Sequence, residues 1–138
     1  MLIRGLRTLP ARLDRITKTS FEVVKFLQSH PKIERVIFPF DEIFPQYQLA
    51  KQQMKEAPGL FTFYIKAGSR QQVVTFCESL LHIQMAVSWG GHESLLLPKC
   101  AGIQDKDFDT ANPEHQMIRL YVGLEEAGYL IDDLKQAF

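Results

Sequence analysis

The segment Ile118-Arg119-Leu120-Tyr121-Val122 constrains the fold more than any other stretch of the chain. Its alternation is that of a strand, so Ile118, Leu120 and Val122 share one face while Arg119 and Tyr121 point to the other. Such a strand needs an apolar layer on its first face and room for a guanidinium on its second. A lone arginine in a strand is ordinarily a rim or ion-pair residue. Here it is accompanied by a second unusual stretch, Ala86-Val87-Ser88-Trp89-Gly90-Gly91-His92-Glu93-Ser94-Leu95. That stretch puts a hydroxyl, an indole N–H and two glycines at the mouth of an apolar strand. Together the two read as an anion-binding corner, with Arg119 offering a planar fork to a carboxylate.

The remaining pattern supplies the layers. Thr8 is placed to cap a helix with Pro10 in its first turn. Leu13, Ile16, Val23, Val24 and Leu27 recur at helical spacing up to about Ser29, where His30-Pro31 stops the helix. Arg35 to Phe38 reads as a strand, Gln46 to Lys55 as a short helix, and Leu60 to Ile65 as a strand covered on nearly both faces. Ser69 opens a helix whose expected buried stripe is Val73, Val74, Phe76, Cys77, Leu80 and Leu81. Ile83 to Val87 reads as a strand leading into the glycine corner, with Leu95 to Leu97 as a short additional one. Lys99 to His115 reads as an irregular surface loop. The last helix carries Leu130, Ile131, Leu134 and Phe138 on its core face, with Glu125 and Glu126 at its dipole-positive end. The expected architecture is α+β: about four mostly antiparallel strands with helices on one face. Arg119 then lies on the face the helices leave open, and something else must cover it.

Composition narrows the chemistry. The 138 residues make one ordinary domain, with 16 basic and 16 acidic side chains balancing to a formal net charge of zero. That balance gives no global field for nucleic acid. The basic N-terminal stretch of Arg4, Arg7, Arg12, Arg15 and Lys18 is read as a solvated or partner-facing helix surface. No apolar run approaches a membrane span. Cys77 and Cys100 lack ligand spacing, and Cys77 reads as a small buried hydrophobe in a reducing, cytoplasmic compartment. Asp105, Asp107 and Asp109 open like a calcium loop, but Thr110 and Gln116 stand where it needs glycine and glutamate. The histidines lack zinc spacing, so no metal is expected. Gly90-Gly91 is no phosphate loop, and Ser88 has neither a nucleophile-elbow context nor an assignable base.

Four blocks in fixed order go further: Arg4-Gly5-Leu6-Arg7-Thr8-Leu9, Gly59-Leu60-Phe61-Thr62-Phe63, Ser88 to Leu95, and Ile118-Arg119-Leu120-Tyr121-Val122-Gly123-Leu124-Glu125. Over essentially the whole chain this order resembles the C-terminal third of the trans-sulfuration enzymes, the Cys/Met-metabolism family of pyridoxal-phosphate enzymes. Tryptophan after the serine is most like the cystathionine β-lyase branch. The resemblance implies the small C-terminal domain of the aspartate-aminotransferase-type fold, residues 31–138, entered by a long helix over residues 1–30. It implies that Arg119 grips a substrate α-carboxylate and that Ser88 and Trp89 assist. It also implies that Val87 varies with specificity, being tyrosine in the β-lyase pattern and valine or glutamate in γ-branch members. Val87 therefore departs from the β-lyase pattern. Pro98-Lys99-Cys100-Ala101-Gly102 lacks the Met-Thr-His of many γ-lyases.

The family's Schiff-base lysine in a Ser-x-Thr-Lys block, its aspartate for the pyridine nitrogen and its phosphate-binding glycine-rich helix start do not occur in this sequence. Lys18 is nearest in order but lies within the long helix pattern. The resemblance thus implies a substrate-binding piece of a longer carbon–sulfur lyase acting on a cystathionine-like sulfur amino acid, as part of a homotetramer whose large domain supplies pyridoxal phosphate. The chain alone is expected to hold no cofactor and to be inactive. The alternatives are a methionine or cystathionine γ-lyase domain, a γ-synthase domain, or a free-standing amino-acid-binding or interaction module.

Overall fold

The computed structural model describes residues 2–138. It opens with α1 (Leu2–Ser29), a helix whose two halves differ. Ile16, Thr19, Ser20, Val23, Val24 and Leu27 are buried, whereas Leu2, Ile3 and Leu6 stand in solvent. The end at Ser29 matches the sequence pattern; the start does not. The helix begins well before Thr8, and Pro10 lies inside it. Thr8 is no cap: its hydroxyl donates back to the Gly5 carbonyl, as does the Arg12 guanidinium. Proline removes one helical N–H there, and on this exposed half the freed carbonyl is open to water.

The chain continues through β1 (Ile33–Ile37), α2 (Tyr47–Gln53), β2 (Leu60–Ile65), α3 (Arg70–Ser79), β3 (Gln84–Met85), β4 (Leu95–Pro98), β5 (Met117–Tyr121) and α4 (Ala127–Ala137). The sheet has five strands in the order β1-β2-β5-β4-β3, so the short additional strand of the sequence reading is present. All pairings are antiparallel except β3 with β4. Phe61, Phe63, Leu96, Ile118, Leu120 and Val122 join Val23, Leu27, Val73, Phe76, Leu130 and Leu134 in one core. Cys77 is buried there, and loss of solvent pushes its thiol up to about 12, with Cys100 and Glu78 adding to the effect. It is a packing residue rather than a nucleophile.

Three expectations are corrected. Leu81 is exposed, because α3 ends at Ser79 and the chain turns away before the stripe is complete. The expected strand Ile83 to Val87 shrinks to Gln84–Met85. The segment from Lys99 to His115 is not simply surface: it contains three short 3-10 turns, buries Cys100, and ends on buried Gln116. The Gln116 amide accepts from the Ala67 N–H and donates to the Thr110 carbonyl, tying this segment to the end of β2.

Asp133 on α4 was not singled out by sequence. Its buried carboxylate accepts the backbone N–H groups of Leu81, His82 and Ile83 at 2.8, 2.9 and 2.9 Å. Burial alone would raise its pKa, but those three donors and Gln136 outweigh burial and hold the carboxyl below its ordinary range. The turn that aims the chain into β3, and so toward the glycine corner, is fixed by this one side chain.

Candidate carboxylate-binding site

Topology explains what covers Arg119. Parallel strands require the connecting chain to travel back to its starting end, a trip that ordinarily takes a dozen or more residues. Here β3 and β4 are parallel and joined only by residues 86–94. Ala86 still donates to the Leu96 carbonyl, and beyond it the chain leaves the sheet. Gly90 turns at φ +86°, a conformation that side chains resist. The returning loop meets the end of the helix-free face where Arg119 and Tyr121 stand.

Arg119 sits mid-sheet, paired with Thr62 of β2 on one side and Leu97 of β4 on the other. Its Nη2 donates to the Val87 carbonyl at 2.5 Å. That contact brings the arginine to the Val87-Ser88-Trp89 turn, although Val87 and Arg119 are 32 residues apart in sequence. One guanidinium N–H is used, and the fork keeps the others for a ligand. Ser88 and Trp89 follow directly in the chain; both are exposed, and Trp89 retains 61% of its surface. Val87, the expected specificity position, also projects into solvent. The structure thus joins Arg119 to the exposed segment that carries Val87, Ser88 and Trp89.

Tyr121, on the same sheet face as Arg119, is buried, and its hydroxyl donates to the Gly91 carbonyl at 3.0 Å. Burial pushes that hydroxyl above its ordinary pKa, with Arg12 opposing and Glu125 and Glu93 adding, so it stays a neutral donor. Sequence reasoning missed this clamp, as it missed Ser94 and Glu125, which grip the far end of the loop. Glu126 stands at the dipole-positive end of α4 as expected and also pairs with Arg15 at 2.6 Å. These contacts join segments far apart in the chain and leave no local spacing to read.

A cavity of about 820 Å³ lies elsewhere, between α1, the chain after β1, and α2, and is lined in part by Phe21, Phe38, Phe40 and Tyr47. It shares no residue with the corner. Among the described residues no group of three or more His, Cys, Asp or Glu is placed to hold a metal ion, and no helix is long and apolar enough to cross a membrane.

An arginine fork with unused N–H groups beside an exposed loop is suited to hold a carboxylate. The family model for Cys/Met metabolism PLP-dependent enzymes matches residues 1–138. The chain belongs to that family. Cystathionine gamma-lyase of Bos taurus is similar to it, 42% identical over 138 residues, covering 97% of this chain and 34% of the relative. Cystathionine gamma-lyase of Dictyostelium discoideum is 37% identical over 141 residues, covering 99% of the chain and 36% of the relative. A protein named putative cystathionine beta-lyase from Rhizobium johnstonii is 33% identical over 141 residues, covering 99% and 35%. The chain therefore spans about a third of the length of these curated relatives. Its mixed α/β fold is that of a trans-sulfuration PLP-enzyme domain. The residues of the corner do not by themselves fit the cofactor. No lysine lies between residues 86 and 94, and Lys18 is exposed on α1.

Proposed function

We propose that this chain is the C-terminal, substrate-carboxylate-binding part of a PLP-dependent carbon–sulfur lyase of sulfur amino-acid metabolism. The observation that carries the reading is the Arg119–Val87 contact, which supports a guanidinium working together with Ser88 and Trp89, the next two residues of the chain. In the whole enzyme, pyridoxal phosphate bound by the large domain would supply the electron sink for carbon–sulfur cleavage. The part played by this chain is positioning. Arg119 holds the α-carboxylate through paired N–H donors, while the Ser88 hydroxyl and the Trp89 indole N–H add single hydrogen bonds. A carboxylate held at that corner fixes the orientation of the Cα–H for abstraction, which lowers the barrier through geometry. The exposed leucines of the first half of α1 offer the large domain, or a second subunit of a homotetramer, an apolar surface.

Cystathionine is the substrate class this reading favours, since the relatives quoted above carry that name. Cleavage on the γ side is supported by those named cystathionine gamma-lyase and by Val87, which matches γ-branch members. Trp89 supports the β side. The product of the full-length enzyme separates the two, 2-oxobutanoate marking γ cleavage of cystathionine and pyruvate marking β cleavage. The carboxylate role is tested on the chain itself by titrating L-cystathionine and its bis-α-carboxamide, which lacks both α-carboxylates, against Trp89 fluorescence. Wild type is expected to prefer the carboxylate, and Arg119→Ala to lose at least ten-fold in affinity for it alone. Equal binding of both ligands by both proteins refutes the role.

A further inference from the structure

The loop carrying Ser88 and Trp89 is laced to the last strand and its continuation at every second residue. Arg119 holds the Val87 carbonyl and Tyr121 the Gly91 carbonyl; Gly123 and Glu125 then hold Ser94. The Ser94 end is the more tightly built. Ser94 is completely buried, and its hydroxyl donates to Glu125 Oε2 at 2.8 Å while accepting the Gly123 N–H at 2.9 Å. The other Glu125 oxygen accepts the Ser94 N–H at 2.7 Å. A hydroxyl with both its donor and an acceptor site engaged, beside a backbone N–H bound to the same carboxylate, has a single orientation. Leu124 adds its N–H to the His92 carbonyl at 2.8 Å. A Cβ on Gly123 would collide with the His92 carbonyl oxygen, the Glu93 backbone and Glu125 Oε2, so the two segments touch backbone to backbone.

We propose that Glu125, acting through Ser94, is a positioning residue for the carboxylate corner. Ser88 and Trp89 have little packing of their own to hold them. Their place relative to Arg119 depends on where the loop is fastened, and Glu125 fastens the end that Arg119 does not. This inference rests on the carboxylate role of Arg119, Ser88 and Trp89 proposed above. Glu125 itself does not touch the ligand.

Trp89 is the only tryptophan of the chain, so its fluorescence reports on this corner alone. The test compares wild type, Glu125→Gln, Ser94→Ala and Arg119→Ala by acrylamide quenching of Trp89, amide hydrogen exchange and L-cystathionine affinity. In Glu125→Gln and Ser94→Ala, exchange at residue 94 and at Leu124 is expected to rise at least ten-fold. Trp89 quenching should also rise and affinity fall at least five-fold, with the core amides of Phe63 and Leu120 unchanged. Wild-type quenching and affinity in both variants overturn the proposal. So does acceleration of the core amides by as much as the loop amides, which would mark Glu125 as a general stabiliser. If Glu125→Gln fails to fold, Ser94→Ala carries the measurement, because it keeps the backbone N–H bond to Glu125. Wild-type affinity in Arg119→Ala sinks the carboxylate reading alone, and Trp89 quenching and loop exchange then decide the role of Glu125.

Discussion

The two faces of the sheet are built on different principles. On the covered face Phe61, Phe63, Leu96, Ile118 and Leu120 are sealed under α1, α3 and α4, and stability there comes from apolar area removed from water. On the other face Thr62, Leu97 and Arg119 lie in one cross-strand row and are only half-buried. Arg35 stacks over the Tyr64 ring at 4.1 Å, and the returning loop is held by single hydrogen bonds from Arg119 and Tyr121 and by a cluster of them at Ser94. One face resists substitution because many weak contacts act together. The other is held at a few named atoms, and so can present a guanidinium without collapsing around it.

The sharpest challenge to this contrast is Leu120→Ala, expected to destabilise by about 3 kcal/mol in urea unfolding because it opens a cavity in the covered layer. A cost near that of an exposed residue would abolish the distinction. Asp133→Asn is expected to cost about 2 kcal/mol, since it unbalances a buried carboxylate receiving three backbone donors. Its folded pKa lies below the unfolded value, so its contribution is complete above the unfolded carboxylate pKa of about 4 and disappears as pH falls through the folded one. The stability gap between wild type and Asp133→Asn should therefore close in acid; a gap independent of pH would contradict the assignment. Tyr121→Phe, which removes one hydrogen bond to the loop, is expected to cost about 1 kcal/mol. Arg119→Ala is expected to change stability least, by about 0.5 kcal/mol, because its contact is exposed to solvent. A loss matching Leu120→Ala would make Arg119 a structural residue of the open face.

Legibility divides along the same line. The β2 strand Leu60–Ile65, the Ser69 cap of α3, the buried half of α1 and the alternation of Ile118, Arg119 and Leu120 were all readable, because periodicity records which side chains face a shared layer. The early start of α1 was not, since its first turns bury almost nothing and Pro10 mimics a helix beginning. The corner was half-readable. Arg119, Ser88 and Trp89 are unusual residues in unusual places, but Ser94, Glu125 and Asp133 are ordinary polar residues. Their importance lies in partners 29 to 52 positions away, a relation that no local pattern encodes.

The length of α1 has a mechanical consequence. Its buried residues begin at Ile16, so the preceding exposed half extends roughly 20 Å beyond the part anchored in the core. A stiff rod gripped at one end amplifies small rotations. A swing of about 5° at the anchor would carry the tip near Leu2 through roughly 2 Å by that same geometry. A surface that packed against that exposed half would feel a small tilt of the anchored half as a displacement of that size.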